Sequence, residues 1–467
     1  MRILQATSEF FPYSKTGGLA DMVAGLSGAL AQSHEITVAT PLYQGIREKF
    51  PDIKPAGKQF NIPMGGITLM GRWWQHQPSA NLTVLLLEND AFYHRQGIYM
   101  EHGEGYWDNP ERFIFFSKSV RQLIPDFDVA HLHDWQTAIV PMLQKEGAGE
   151  SAARTVFTIH NLAYQGSCAG DHFNLTNLPV KFFHSRGPEH FGNLNFMKAG
   201  LHYADAITTV SPQYAQEILT NEFGEGLDGE LLKRRKDLTG ILNGVDYNEW
   251  RTINNPHLTA DYDINNLSGK KKCKSELLEI FGLPEEGLPL MAVVSRLAEQ
   301  KGIGQLVEVL SKLLPDNKFQ FVLLGSGDGA LEETLLRLKS TFPKQVGIKI
   351  GYDQALSHQV EAGADFFLMP SRFEPCGLNQ LYSLRYGTIP IVHAVGGLKD
   401  SITDIASKHG NGISYDQFEP TELKNAIQRA IDLFGSPIKL NETQQIGMAL
   451  NHSWHHAAEQ YCDIYQP

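Results

Sequence analysis

Several features that would place a protein quickly are scarce or missing in this sequence. It has four cysteines, Cys168, Cys273, Cys376 and Cys462, and no CxxC pair among them. That scatter excludes a disulfide framework or a zinc ribbon and fits a reducing cytoplasm. No apolar run approaches the roughly 20 residues that span a bilayer, so no membrane partner is expected. The amino terminus, Met1-Arg2-Ile3-Leu4-Gln5-Ala6-Thr7, lacks the long hydrophobic stretch of a secretory leader. Cationic excess is absent as well, the formal net charge being −12. Such a field repels nucleic acid and acidic lipid alike, which argues against either partner. Low-complexity tracts and short-period repeats are also lacking. The expectation is a complete, soluble, cytoplasmic enzyme.

What the chain does have is length and an alternating pattern. Its 467 residues exceed a single core, and at about 100–200 residues per domain two to three domains are expected. Short β-rich runs at 2–7, 36–40, 82–88, 127–132, 154–159 and 205–210 predict a first series of strands. A second series falls at 290–295, 319–324, 346–350, 365–369 and 389–392. Leu19, Val23, Leu26 and Leu30 share one helical face, as do Ile303, Leu306, Leu310 and Leu313. Buried strands alternating with one-faced helices imply an α/β protein with doubly wound parallel sheets. Residues 250–270, rich in Asn, Asp and Thr, read as a connection, which puts the domain boundary between about 240 and 270.

Three stretches carry the chemistry. Lys15-Thr16-Gly17-Gly18-Leu19-Ala20-Asp21 lies between the first strand and its helix. Paired glycines let backbone approach an anion, and a helix start offers unpaired N–H groups. A tight turn with Thr16 as N-cap is the plainer reading. In the second series, Arg296 leaves a strand and Lys301 opens a helix, where ligands bind in such sheets and where two cations would neutralise a diphosphate. A solvated loop accounts for these two equally well. Third, Ser371-Arg372-Phe373-Glu374-Pro375-Cys376-Gly377-Leu378 follows another strand, and Glu374 there would suit sugar hydroxyls. A carboxylate serving a helix dipole is the alternative for Glu374, and for Cys376 a small buried hydrophobe is preferred over a nucleophile.

Other signals point elsewhere. His131 and His133 share a strand face, which keeps a metal-dependent hydrolase in view, though the usual HxHxDH spacing is missing. Gly325-Ser326-Gly327-Asp328-Gly329 imitates a dinucleotide fingerprint with the wrong interval. The basic runs 233–236 and 270–272 read as solvated faces.

Taken together, KTGGLAD at 15–21, HDW at 133–135, TIHNLAYQG at 158–166, LNGVD at 242–246, SRLAEQKG at 295–302, SRFEPCGLNQLYSLRYGTIP at 371–390 and GGLKD at 396–400 resemble the bacterial glycogen synthases and plant starch synthases. The resemblance spans nearly the whole chain in the family's order. It implies a GT-B fold of two Rossmann-like domains facing a cleft. The amino-terminal acceptor domain would cover 1–242 with a returning helix at about 450–467, and the nucleotide-sugar domain would cover 243–449. It implies retaining transfer of glucose from ADP-glucose to the 4-hydroxyl of an α-1,4-glucan such as glycogen, with no metal and no cofactor. By matching position, Lys15 and Gly18 would face donor phosphates with Gly17 also in the donor site, and Arg296 and Lys301 would hold the diphosphate. His160 and Asn161 would contact the transferred glucose, with Asp134 near the reacting centre. Glu374 would bind glucose hydroxyls beside Cys376, Gly377 and Leu378. Asp21 and Asn243 would complete the donor site, and Tyr352 would stack on adenine. A non-catalytic glucan-binding regulator on the same fold is the remaining alternative. The segment His393-Ala394-Val395 departs from the family's usual Thr or Arg.

Overall fold

The structure, a computed structural model, describes residues 1–101, 103–147 and 152–466. The chain divides into two compact units, Met1–Gly244 with Trp454–Pro467, and Val245–Ser453. Each is built on a sheet of its own.

The first unit holds a ten-stranded sheet. Its parallel part runs Leu238–Gly240, Ala206–Thr209, Arg154–Ile159, Val129–His133, Arg2–Ala6, Glu35–Pro41 and Leu82–Glu88. The central strands are buried nearly throughout, which is why they read as continuous apolar runs and not as alternating ones. The helix Gly18–Leu30 follows the first strand and buries Leu19, Val23, Leu26 and Leu30. Strand order reverses between Arg2–Ala6 and Val129–His133. At such a switch the loops leaving the two strands diverge to opposite faces and open a crevice at their carboxyl ends.

The sheet is not parallel throughout. Ile67–Ser79 pairs antiparallel with Leu82–Glu88, and Phe60–Met64 and Lys54–Pro55 pair antiparallel with Ile67–Ser79. Ala80 and Asn81 alone link the first two, and a link that short permits only a hairpin, since parallel neighbours need a long crossover. A small antiparallel sheet of Ser167–Ala169, Asn193–Asn195 and Glu189–His190 lies apart. The carboxyl-terminal helix Trp454–Tyr465 packs on this unit and buries Trp454, Ala457, Ala458, Tyr461 and Tyr465. Its approach leaves no room at Gly25, where a Cβ would stand 1.9 Å from Trp454 Nε1.

The second unit carries a six-stranded parallel sheet in the order Val346–Ile350, Gln320–Gly325, Leu290–Val294, Phe366–Met369, Ile389–His393, Ile413–Tyr415. The helix Ile303–Leu313 buries Ile303, Leu306, Leu310 and Leu313 against it. Here the order reverses between Leu290–Val294 and Phe366–Met369.

Residues 250–270 are not a connection. Tyr262 is buried with Cys273, Ala362, Tyr386 and Met448, and Trp250, Leu258 and Ile264 pack around them. The polar residues that suggested a linker are spent on internal hydrogen bonds: Asn255 Nδ2 donates to Arg251 O and to Tyr386 Oη, both at 2.9 Å. Nor is the run 270–272 simply a solvated face. Lys270 is buried, and its Nζ donates to Ala362 O at 2.8 Å and Thr388 Oγ1 at 2.6 Å. It thereby satisfies carbonyls at the end of the helix Gln354–Gly363, where a cation suits the dipole.

Candidate active site

In the first unit, the loop leaving Arg2–Ala6 carries Glu9 and then Lys15-Thr16-Gly17-Gly18 into the helix Gly18–Leu30. Thr16 is not the cap. Its hydroxyl donates to Glu9 Oε1 at 2.7 Å, and Gly17 occupies the cap position with no side-chain bond. The Gly17 backbone is extended, open to any residue, and a Cβ there would meet nothing within 4 Å. The fold around it therefore does not demand glycine. Lys15 Nζ pairs with Asp21 Oδ1 at 2.8 Å. Burial pushes the Asp21 carboxyl up, and Lys15 opposes that.

Across the switch point, Val129–His133 ends in Asp134, whose φ of 57° is a strained conformation for a residue with a Cβ. The strain is held from both sides. Asp134 N donates to Thr158 O at 3.0 Å, and its Oδ1 accepts from His160 N at 2.8 Å. Burial pushes its carboxyl up to about 7 against the backbone donors of His160 and Asn161. His160 therefore ends its strand fastened to Asp134.

Behind it lies a ladder of histidines. His160 Nε2 meets His133 Nδ1 at 3.1 Å, and His133 Nε2 meets Gln5 Oε1 at 3.0 Å. The His131 ring lies 4.1 Å from that of His133, with its nitrogens on Tyr465 Oη at 2.8 Å and Thr158 Oγ1 at 2.6 Å. Burial holds His131 and His160 down to about 3 and His133 well below its ordinary value, so all three are neutral. Since Gln5 Oε1 only accepts, His133 donates from Nε2 and receives at Nδ1, which makes His160 the donor from Nε2. Among the described residues nothing engages His160 Nδ1, which is then an acceptor suited to a hydroxyl. The ring nitrogens of His131 and His133 are all engaged within the protein, which removes the HxH pair as metal ligands. Among the described residues no group of three His, Cys, Asp or Glu is arranged to hold an ion. Asn161 Oδ1 closes a local turn on Ala163 N at 3.1 Å.

In the second unit the switch point brings together two stretches distant in sequence. Lys301 Nζ pairs with Glu374 Oε2 at 2.5 Å across 73 positions, and Ser371 Oγ donates to the same oxygen at 2.9 Å. Glu374 is 6% exposed and serves this pair, not a helix dipole. Arg296 is exposed, and among the described residues no hydrogen bond or ion pair engages its guanidinium. Gly377, at φ 71°, turns the chain after buried Cys376, and Gln380 Nε2 holds Cys376 O at 2.9 Å. Half-buried Leu378 precedes the helix Asn379–Tyr386. Tyr352 stands 73% exposed beyond the strand Val346–Ile350. In the first unit, Asn243 is buried with Oδ1 unpartnered among the described residues.

The dinucleotide-like glycines have a packing reason. A Cβ at Gly325 or Gly327 would stand 2.1 Å from Ser295 O or 2.3 Å from Leu297 O, while Asp328 caps the next helix. Sequence reading missed Glu9, Gln5 and Ser371, which hold the residues it did single out. A lone Glu or Gln near a strand end carries no spacing signal, and only the fold shows what it touches.

A model of the starch synthase catalytic domain matches residues 2–233, and one for group 1 glycosyl transferases matches 278–444. The chain is 46% identical to a glycogen synthase of Myxococcus xanthus, covering 99% of this chain and 98% of that one. It is 42% identical to a glycogen synthase of Thioalkalivibrio sulfidiphilus over 100% and 99%. Among solved structures, the catalytic domain of starch synthase IV from Arabidopsis thaliana, bound to ADP and acarbose, matches with TM-score 0.90 and 30% identity. That match covers 99% of this chain and 98% of that one. Sucrose-phosphate synthase from Thermosynechococcus elongatus, at 17% identity and TM-score 0.62, shares the fold alone. Over its full length, then, the chain belongs to the glycogen and starch synthase family of glycosyltransferases, with their GT-B fold.

Proposed function

We propose that the chain transfers glucose from ADP-glucose to the 4-hydroxyl at the non-reducing end of an α-1,4-glucan, with retention, releasing ADP in the cytoplasm. The observation that carries this is the grouping of Lys301, Arg296 and Glu374 at the switch point of the second unit. Breaking the anomeric bond leaves negative charge on ADP and positive character on the sugar. Arg296, Lys301, Lys15 and the helix-start N–H groups of Gly18 and Leu19 would stabilise the first without a metal. A diphosphate would draw Lys301 from Glu374 and free that carboxylate for glucose hydroxyls. Neutral His160 would accept a hydroxyl hydrogen, Asp134 would lie by the reacting centre, and Tyr352 would stack on adenine. Asp21, Asn161, Asn243, Gly17, Cys376, Gly377 and Leu378 would line the donor. Glu374, given to glucose hydroxyls in this reading, does not serve as the nucleophile of the double-displacement arrangement of retaining glycosidases. Front-face attack, with the leaving phosphate accepting the proton, fits this set of residues. The relative solved with ADP and acarbose supports adenine as the donor base.

A donor screen with glycogen, with and without EDTA, tests this. ADP-glucose should be the preferred donor, its turnover unchanged by chelation and the new linkage α. Loss of turnover with EDTA would favour metal chemistry. Glucan binding without turnover on any donor would favour the regulator.

A further inference from the structure

We infer that Glu9 is a positioning residue for the donor-phosphate loop, an internal carboxylate that shapes Lys15–Gly18 before any phosphate arrives. This rests on the reading of that loop as part of the donor site. Glu9 is 3% exposed and follows the first strand by three positions. An Oγ turn fixes its backbone, with Thr7 Oγ1 donating to Glu9 O at 2.8 Å. Its carboxylate is fully used. Oε1 accepts from Thr16 Oγ1 at 2.7 Å and Tyr99 Oη at 2.8 Å, and Oε2 accepts from the Thr16 amide and from Gly17 N at 3.2 Å. Burial and Glu9 itself hold the Tyr99 phenol well above its ordinary value, so it stays a donor, and Ser8 Oγ at 2.6 Å must donate to it in turn.

Two consequences follow. The Thr16 and Gly17 amides are already spent on Glu9, so an incoming phosphate is met by the next donors, Gly18 and Leu19, and by Lys15. Placing a buried anion beside an anion site is also unfavourable in charge alone: Glu9 helps to raise both Asp21 and Asp134. Its contribution must therefore come through hydrogen bonding, and the two can be separated. A glutamine keeps one oxygen for the two amides and turns its NH2 toward the two hydroxyls, which can rotate to accept. The anchor survives while the charge goes.

The test is ADP binding by calorimetry, with steady-state KM values, on Glu9→Ala, Glu9→Gln and Lys15→Ala. Glu9→Ala should weaken ADP and raise the ADP-glucose KM at least tenfold while leaving the glycogen KM unchanged. Glu9→Gln should stay within about threefold of the parent. An alanine variant that binds ADP normally overturns the inference, as does a glutamine variant as weak as the alanine one. If Lys15→Ala also leaves ADP binding untouched, the donor reading of the loop fails; if Lys15→Ala weakens it and Glu9→Ala does not, only the role of Glu9 fails. Should Glu9→Ala not fold, Thr16→Val removes one donor from the same anchor. ADP binding two- to fivefold weaker supports the inference, and unchanged binding overturns it.

Discussion

The two switch points answer the same topological problem with opposite chemistry. In the first unit the histidines behind His160 are buried and neutral, each ring nitrogen of His131 and His133 matched to a partner. In the second, Lys301 and Glu374 are a charged pair, the lysine side chain 20% exposed, with exposed Arg296 nearby in sequence. A hydrogen-bonded neutral ladder in a dry interior has one good arrangement and resists change. An ion pair whose lysine end is reached by solvent can exchange partners, whereas the buried carboxylate end keeps a strong demand for a cation. The first arrangement suits holding a sugar in one pose, and the second suits receiving a charged leaving group.

The largest expected effect comes from breaking the charged side. Lys301→Ala or Arg296→Ala should lower kcat by ~10²–10³, because each would stabilise charge that appears only in the transition state. The melting temperature should stay within a few degrees of the parent for Arg296→Ala and drop further for Lys301→Ala, which leaves the buried Glu374 carboxylate without its cation. Near-normal turnover in either variant would reduce that residue to an ordinary surface cation.

On the neutral side, His160→Ala should lower kcat by roughly 10- to 100-fold, the worth of a hydrogen bond to a hydroxyl, with ADP affinity nearly intact. A stable variant with full transfer activity would remove the assigned role.

Tyr465→Phe sharpens the comparison at a distance. It strands His131 Nδ1 in a dry interior, so stability should drop by ~1–3 kcal/mol in denaturant titration, with a smaller change in kcat. No loss of stability would mean that the ladder rearranges freely.

The smallest effect is in the pH dependence of stability. His131 and His160, held down to about 3, take up protons on unfolding. Their contribution is full above their ordinary 6.5 and is lost as pH falls through the folded values. Asp134, pushed up to about 7, has the opposite sign: its contribution is full below its ordinary 3.8 and is lost as pH rises through about 7. Between pH 7 and 4, Asp134→Asn should therefore steepen the decline of melting temperature with acidification, and His131→Phe should flatten it. Parallel curves for both variants and parent would contradict the buried, neutral ladder.

Much of this was legible in the chain. The apolar runs marked the central strands because strands covered on both faces have no polar side to show, and Leu19 to Leu30 and Ile303 to Leu313 marked helices by spacing alone. Where pattern failed, a partner distant in sequence decided. The linker-like stretch 250–270 is anchored on the second unit because Asn255 and Tyr262 find Tyr386. Lys270 is buried because helix-end carbonyls and Thr388 receive it. The outer strand of the hairpin at 67–88 was missed because, although it carries Ile67, Leu69, Met70, Trp73 and Trp74, it buries only Gly71 and Trp73.

The sequence by itself determined the two series of strands and helices, and with them the loops where chemistry could gather. It also supplied the residue types there, since cations, a carboxylate, glycines and histidines are chosen by what they can bind. Only the tertiary structure decided which of them meet. Lys301 and Glu374 join across 73 positions, Tyr465 reaches His131 across 334, and Glu9 takes the amides that the glycine loop would otherwise offer outward. Hydrogen bonds and ion pairs act over about 3 Å of space, a separation that no distance along the chain records.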